Sequence, residues 1–588
     1  MGFQLGTVLT FFLGHTDRSF CWVLFLTIPP CPIFGVHFIY PTLQPPSTCL
    51  PRIHMATSTP ESPATTTTSY DLVPHPSASF PQSHPLRLAT IGRMFGIEAK
   101  APSSARVLEL GCTDGANLLP MADLMPGASF LGIDASKAQI DAGLKALAAS
   151  GLKNIELRHQ NILEFPATEG KFDYIIVHGI FSWVPEPVRE KIMQICSQHL
   201  TENGIAYISY NTLPGWGMRR SLRDMMLFHT HQITDGATKV KQARALLNFL
   251  SEYVPTENNA YGMLLKAESE FMNKQVDSYL RHDILADENT AFYLYEFVGR
   301  AGKHGLQYVG ESGISQMLAT NFPEKVRDTL TRIQVGVVAQ EQYMDFLRNR
   351  VGRQTLICHA SRKLNRQIQP VAMVKFAFQS LFKQPEAPVD LTHGVSAGFV
   401  STAGPTVNAS DSFVKAALQA LIAAAPAPLA YAELLRLARQ ASRPFLGAVP
   451  ANRDEIDEST LQVNLLNLYS QSFLEIYDEA VGVAKTVPAK PALSPLVRYH
   501  AIHSRHVANR LHQAVQSDDF ARFVIEACDG NRTRDEILTA VIGRVNEGKL
   551  SVKEGDQPVT AEKKLRTLLG PQVDTVLEKL VIGGFFAP

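Results

Sequence analysis

The sequence predicts an α/β protein: a Rossmann-like sheet core with a helical insertion, followed by a mostly helical, winged-helix-like C-terminal domain. Three observations carry this expectation. Residues 107–122, VLELGCTDGANLLPMA, read as an apolar strand, a glycine turn and the start of a helix, and 130–136, FLGIDAS, read as a second apolar strand ending in an acid. That is the order of a βαβ unit whose turn and acid meet a ribose-bearing ligand. Strand and helix patterns then alternate as far as residue 210, which calls for a parallel sheet, and after Met218 the alternation gives way to helical periodicity.

Residues 1–54 are unlike the rest. Ser19–Leu50 holds no Asp, Glu, Lys or Arg, and Pro29, Pro30 and Pro32 interrupt its apolar run. Phe20–Ile28 is shorter than the roughly 20 residues that span a bilayer, and it lacks a basic flank and a clear cleavage site. An anchor, a cryptic signal and a translated upstream stretch compete; the last is favoured, because Met55 opens an ordinary N-terminus. Residues 55–69, rich in Ser, Thr and Pro, are expected to be disordered.

Four prolines keep Tyr70–Pro85 extended, and Pro85 suits the first turn of a helix over Leu86–Phe95. Strands are expected at Arg106–Leu110, Ser129–Asp134, Ile155–His159, Phe172–His178 and Gly204–Tyr210. Helices are expected at Ala116–Leu124, Lys137–Ala149 and Pro187–Leu200. Residues 70–217 thus form the first part of the core, and 218–290 a helical insertion. Residues 291–362 supply a helix (Ala291–Ala301) and two closing strands, GLQYVG at 305–310 and QTLICH at 354–359; the alternative is an independent helical domain over 218–360. Residues 363–411 read as a linker. Residues 412–588 read as one unit of short amphipathic helices at Phe413–Ala424, Ala430–Ala438, Asp518–Ala527, Thr533–Glu547 and Val573–Ile582, with a final strand at Gly583–Phe586.

Composition narrows the function. With 588 residues, 45% apolar and 19% charged, the chain is globular with ample core. Its 55 Lys and Arg balance 55 Asp and Glu, so it carries no basic footprint for nucleic acid and no motif for stable membrane insertion. The C-terminal helices mix both charges, which favours a protein-contact role over a nucleic-acid one. Seven scattered cysteines give neither a metal spacing nor a disulfide framework. No metal is expected, and a reducing cytoplasm is.

The turn itself narrows the ligand. A pyrophosphate cradle needs Gly-x-Gly-x-x-Gly, but Gly111 is followed by Thr113 and Ala116 at those positions, and the next glycine is Gly115. A ligand with ribose, adenine and an amino-acid tail fits better, and that is S-adenosylmethionine (AdoMet). A βα turn with no ligand is the plain alternative, against which stand the two acids, Glu109 and Asp134, on consecutive strands. The carboxyl ends of the strands, where such folds bind ligands, carry Glu109, Asp134, Asn161, His178 and Tyr210. With their neighbours Gly111, Cys112, Gly115, Asn117, Ala135, Ile162 and Gly179 they make up the cofactor-binding candidates.

Methyl transfer from a sulfonium is an in-line displacement that needs aligned reactants and excluded water. A lysine acceptor must first lose a proton, its free pKa being about 10.4. The loops after the fourth and fifth strands, SWVP at 182–185 and NTLPGW at 211–216, hold two of the three tryptophans. Trp183 is a candidate wall for a cationic group, Tyr210 a candidate positioning group or base, and Asn211 its hydrogen-bonding partner. Each has an equally plain alternative: Trp183 and Trp216 packing beneath their loops, and Tyr210 in the core. The Asn/Asp-Pro-Pro-Tyr signature of DNA-base methylation is missing after the fourth strand.

YDLVPHPSASFPQSHP at 70–85, the glycine turn, HGIFSWVP, SYNTLPGW, AFYLYEF, HGLQYVGES and QTLICH together resemble the bacterial methyltransferases that carry a methyltransferase regulatory domain. That group includes the rickettsial protein-lysine methyltransferases acting on outer-membrane protein. The resemblance spans about residues 70–360. It implies a class I fold, AdoMet as methyl donor, a regulatory role for the insertion and a protein lysine as acceptor. It also implies cofactor contacts from Glu109, Gly111, Gly115, Asp134 and Asn161, with Tyr70 and Phe80 of the lead-in segment beside them. The chain departs from the group at His75 (Tyr there), Ser83 (Thr), Thr113 (Gly) and Asn161 (Asp). A protein substrate and a homodimer are the partners expected. A small-molecule methyltransferase with the insertion as its lid, or a non-catalytic protein that keeps the cofactor fold, are the alternatives.

Overall fold

Val107, Tyr174, Ile176, Ile205 and Tyr207 enter one hydrophobic core, and Leu108, Leu110, Ile175, Val177 and Ile208 another. Strands with both faces buried this way belong to a parallel sheet covered by helices. The computed structural model describes residues 77–588 except 334, 335, 447–449, 505 and 556. The expectations for 1–54, 55–69 and Tyr70 lie outside the described residues.

The first part of the core runs α1 (Pro85–Met94), β1 (Arg106–Leu110), α2 (Leu118–Leu124), β2 (Ser129–Asp134), α3 (Lys137–Ser150), β3 (Ile155–His159), β4 (Phe172–Val177), α4 (Glu186–His199) and β5 (Leu200–Asn211). The insertion helices α5 (Gly215–Thr230), α6 (Gly236–Tyr253) and α7 (Ala260–Asn273) follow. They close a core of their own around Trp216, Leu222, Leu247 and Leu265. The chain returns through α8 (Leu294–Lys303), β6 (Leu306–Glu311), α9 (Glu324–Arg332), α10 (Val337–Arg348) and β7 (Gly352–His359). The seven strands take the order β3-β2-β1-β4-β5-β7-β6. β1 pairs in parallel with both β2 and β4, and β7 runs antiparallel between β5 and β6. The chain reverses its winding between β1 and β4, so the crevice at their carboxyl ends is where such a sheet binds a ligand.

β7 is held by a buried ion cluster. Arg353 is 1% exposed; its guanidinium donates to Glu311 at 2.6 Å, to both oxygens of Asp345 at 2.9 and 2.8 Å, and to Glu341 at 3.0 Å. Burial pushes the Glu341 carboxyl up to about 7, with Arg353 opposing and Glu311 adding to the rise.

The rest of the chain is β8 (Ala377–Ser380), β9 (Ala397–Val400), β10 (Thr406–Ala409), α11 (Ser412–Ala424), β11 (Leu429–Ala430), α12 (Tyr431–Ser442), α13 (Arg453–Ser470), β12 (Leu474–Tyr477), α14 (Pro495–His503), β13 (His506–Ala508), β14 (Ala514–Gln516), α15 (Asp519–Ala527), α16 (Arg534–Asn546), β15 (Lys553–Glu554), β16 (Gln557–Pro558) and α17 (Glu562–Ile582). Three expectations are corrected here. The linker 363–411 contains β8, which pairs with β11 and β12, and the β9–β10 hairpin. Residues 412–588 pack around two separate cores: one around Phe378, Phe413, Leu434 and Leu465, which takes in β8, and one around Val524, Val541, Leu565 and Phe586. Gly583–Phe586 is no strand. It terminates α17: Gly584 N–H donates to Val581 O at 2.9 Å and Phe585 N–H to Leu580 O at 3.0 Å, with Gly584 at φ +69°, the paired bonds of a glycine C-cap.

Helix α1 is bound to the far half of the chain. Arg87 pairs with Glu475 at 2.6 Å and Arg93 with Asp478 at 2.5 Å.

Candidate active site

The turn after β1 is built from left-handed residues. Gly111 and Gly115 sit at φ +76° and +75°, and Thr113 between them at +52°. A β-branched residue there costs about 1–2 kcal/mol, which is why glycine is favoured at that position. Thr113 is retained by bonds on both sides: its N–H donates to Asp134 Oδ2 at 2.9 Å and its hydroxyl to Cys112 O at 2.7 Å. The other oxygen of Asp134 accepts from Ser136 N–H at 2.8 Å. The acid that ends β2 is thus fastened to the turn that ends β1.

Glu109 is 3% exposed. Its Oε1 accepts from Asn117 Nδ2 at 2.8 Å, while its Oε2 is buried without a hydrogen-bond partner. Burial raises its carboxyl to about 8, Asn117 opposing and the charges of Asp134 and Asp114 adding to the rise. A buried carboxylate oxygen with one side unmet is a place for a cationic or donating ligand group.

Above these ends lies a cavity of about 500 Å³, within the range of sites for drug-sized ligands and cofactors. Phe80, Glu109, Gly111, Cys112, Asn117, Asp134, Ala135, Asn161, Ile162, His178, Gly179 and Trp183 line it. Phe80 stacks on the His178 ring with centroids 3.8 Å apart, and His178 Nδ1 lies 2.9 Å from the Tyr207 hydroxyl. Asn161 caps the next turn, accepting from Leu163 N–H at 2.9 Å. A Cβ at Gly179 would meet only open space. Trp183 Nε1 donates to Asp283 O at 3.3 Å.

Three candidates do not line the cavity. Gly115 shapes the turn, packed so that a Cβ would touch Leu157 at 3.2 Å. Tyr210 is 2% exposed and stacked on Phe297, its hydroxyl 3.0 Å from Thr355 Oγ1, which donates to Glu311 at 2.8 Å. Its burial pushes the phenol upward, away from the range of a base. Asn211 is also buried: its backbone N–H donates to Ser182 Oγ at 2.8 Å and its side chain to Asn289 at 3.2 Å. Asn211 fastens the SWVP loop through Ser182, and Tyr210 packs in the core beneath the sheet end. Trp216 lies in the insertion core.

Sequence reasoning missed Tyr279, His282 and Asp283, which line the cavity from a turn of π-helix over Leu280–Ile284 and the residue before it. Such turns recur at functional sites. Their i, i+3, i+4 spacing puts them on one face and was legible in DSYLRHD.

The comparisons agree with this geometry. A methyltransferase-domain profile matches residues 107–204, a predicted methyltransferase regulatory domain 276–359, and a PKMT C-terminal winged-helix domain 489–585. The regulatory match therefore covers the π-helical turn and β6–β7. Protein RP789 of Rickettsia prowazekii (strain Madrid E) is 37% identical over 519 residues, 87% of this chain and 92% of its own. The structure of PKMT2 from Rickettsia typhi in complex with AdoHcy superposes with a TM-score of 0.78 at 32% identity, covering 87% of this chain and 99% of that one. Among the described residues no helix is long and apolar enough to cross a membrane. This chain belongs to the S-adenosylmethionine-dependent methyltransferases, in the family of PKMT2 that joins a methyltransferase domain to a regulatory and a PKMT winged-helix domain.

Proposed function

We propose that this enzyme methylates lysine side chains of a protein, with AdoMet held by Glu109, Asp134, Asn161 and Ile162 beneath Phe80. What supports the lysine acceptor is the likeness to PKMT2 over nearly its whole length, together with a cavity wall of Trp183, Tyr279, His282 and Asp283. Aromatic faces and a carboxylate suit a long cationic side chain. AdoMet supplies an electrophilic methyl group on a sulfonium. The residues fit it: Glu109 Oε2 would hold the ammonium, the Asp134 carboxylate the ribose hydroxyls, and Ile162 the adenine. Phe80 and Trp183 exclude water. His282, with Asp283 beside it in the wall, would receive the proton the acceptor amine must lose, since only the neutral amine has a lone pair to offer.

Glu109 makes cofactor binding pH-dependent. Its folded-state pKa of about 8 exceeds the ordinary 4.5, so without ligand the native state holds more protons than the unfolded one between those values. Stability of the ligand-free enzyme therefore falls as pH rises from 4.5 towards 8. Binding an ammonium requires the carboxylate, so below pH 8 AdoHcy binding releases a proton. Calorimetry in buffers of different ionisation enthalpy will detect it, and Glu109→Gln will abolish the release. Buffer-independent heats in the wild type would rule out this assignment.

The domain reading carried forward is a methyltransferase core completed by β6 and β7, an insertion over its active face, and a C-terminal half that recruits the substrate. Exposed Phe228, Phe249 and Tyr253 on the insertion helices are where a second copy would dock. The free thiols Cys112, Cys196, Cys358 and Cys528 fit a cytoplasmic location. Purified enzyme, methyl-labelled AdoMet and a lysate of its own cell decide the acceptor. Label is expected in protein bands, on lysine by mass spectrometry; label confined to small molecules refutes the proposal.

A further inference from the structure

A hairpin of the winged-helix domain contacts a residue of the cofactor cavity's wall. The hairpin β13–β14 carries His512 at its tip in the left-handed conformation, φ +61°. A non-glycine residue held there persists only where its surroundings fix it, and such residues cluster at functional sites. The hairpin fixes it through Asn509, whose Oδ1 accepts from Leu511 and Gln513 N–H and whose Nδ2 donates to Gly583 O at 2.7 Å. His512 is 3% exposed, with Nε2 2.9 Å from Asn117 Oδ1.

Asn117 is the hub of the site. Its Oδ1 also accepts from the backbone N–H of Phe80 at 2.9 Å. A backbone N–H can only donate, so the amide orientation is settled: oxygen towards Phe80 and His512, nitrogen towards Glu109 and Ser83. His512 must therefore carry its proton on Nε2. Desolvation holds its imidazole neutral, well below the ordinary histidine range, and His84, edge-on at 4.8 Å, is held down to about 3. Arg87 and Arg510 are the charged groups around this histidine pair.

We infer that His512 is a positioning residue for the cofactor: the hairpin of the winged-helix domain completes the site. By donating to Asn117, His512 holds the amide that orients Glu109 and ties down the Phe80–Ser83 turn against the cavity. The domain's wing thus serves the methyl donor, and docking of the C-terminal half is coupled to cofactor affinity. The inference rests on the AdoMet reading of the cavity.

The test is AdoHcy affinity and steady-state kinetics of the full chain. His512→Phe keeps a ring and removes the donor; His512→Gln keeps a donor. The Phe variant is expected to raise the AdoHcy Kd and the AdoMet KM by about tenfold, the worth of one hydrogen bond at a buried site. Its kcat at saturating AdoMet should stay within about twofold of wild type, and the Gln variant should restore most of the affinity. If His512→Phe does not fold, His512→Ala takes its place with the same expectations. Unchanged affinity in the variant without the donor overturns the inference, as does equal loss in the Phe and Gln variants, the mark of a purely structural role. A wild type that does not bind AdoHcy overturns instead the cofactor reading beneath it.

Discussion

Asp134→Ala is expected to raise the Kd for AdoHcy at least about 100-fold. A carboxylate that accepts from two ribose hydroxyls makes two charge-assisted hydrogen bonds, each worth about 1.5–3 kcal/mol, so losing both gives two to four decades. Part of the loss runs through the protein, because Asp134 also fastens the Thr113 and Ser136 amides. Asp134→Asn keeps the side-chain volume and one acceptor oxygen, so only one of the Thr113 and Ser136 amides keeps its partner, and the loss should be smaller than in Asp134→Ala. Isothermal titration measures both variants, and the AdoHcy-induced shift of the urea transition that the ligand protects offers an independent check. Binding by Asp134→Ala within tenfold of wild type would falsify the placement of the ribose.

Arg353→Met is expected to destabilise the sheet core by about 3–5 kcal/mol, the cost of breaking a buried ion pair from one side. Three carboxylates, Glu311, Glu341 and Asp345, converge on the guanidinium; once it is gone, Arg350 still pairs with Glu311 and Asp345, and Glu341 loses its ion pair. The chain has several cores, so a single melting temperature does not describe it. The measurement is the urea midpoint of the transition that carries AdoHcy protection. A shift corresponding to less than 1 kcal/mol would show that the cluster is dispensable. Activity should fall with it, because Thr355 links Glu311 to Tyr210, and Asn211 next in the chain holds the SWVP loop.

Most of the βαβ unit was readable because its signals are local. β1, β2 and β3 fall on the residues where period and punctuation put them, and Glu109 and Asp134 end neighbouring strands as expected. Tyr210 misled because a strand end looks the same from the sequence whether its side chain faces the crevice or the core. Alternation along β5 decides that, and it places Tyr210 with Ile208 and Ala206 in the core below. β8 was lost because a four-residue strand buried on both faces, AFQS, has no period to detect. α13 blurs its buried stripe of Leu461, Leu465 and Leu468, because Asp457 is buried on the same face while Ile456 and Val463 are exposed. His512 was beyond reach for a different reason: nothing near it in sequence refers to Asn117, and only the docked hairpin brings the two together.

Helix α1 and Asn117 are synthesised early, yet their partners come very late. Glu475 follows Arg87 by 388 residues, and His512 follows Asn117 by 395. At ribosomal rates of about 5–20 residues per second, about 20–80 s pass between the emergence of Asn117 and that of His512. Throughout that interval the sheet can form, but Asn117 has only Glu109 and the lead-in turn to hold it, and α1 lacks its partners Glu475 and Asp478. A chain that stalls or is clipped before its last hundred residues leaves this joint unmade. On the proposed role of His512, full cofactor affinity thus arrives late in synthesis, and a product truncated before the hairpin holds the methyl donor more weakly.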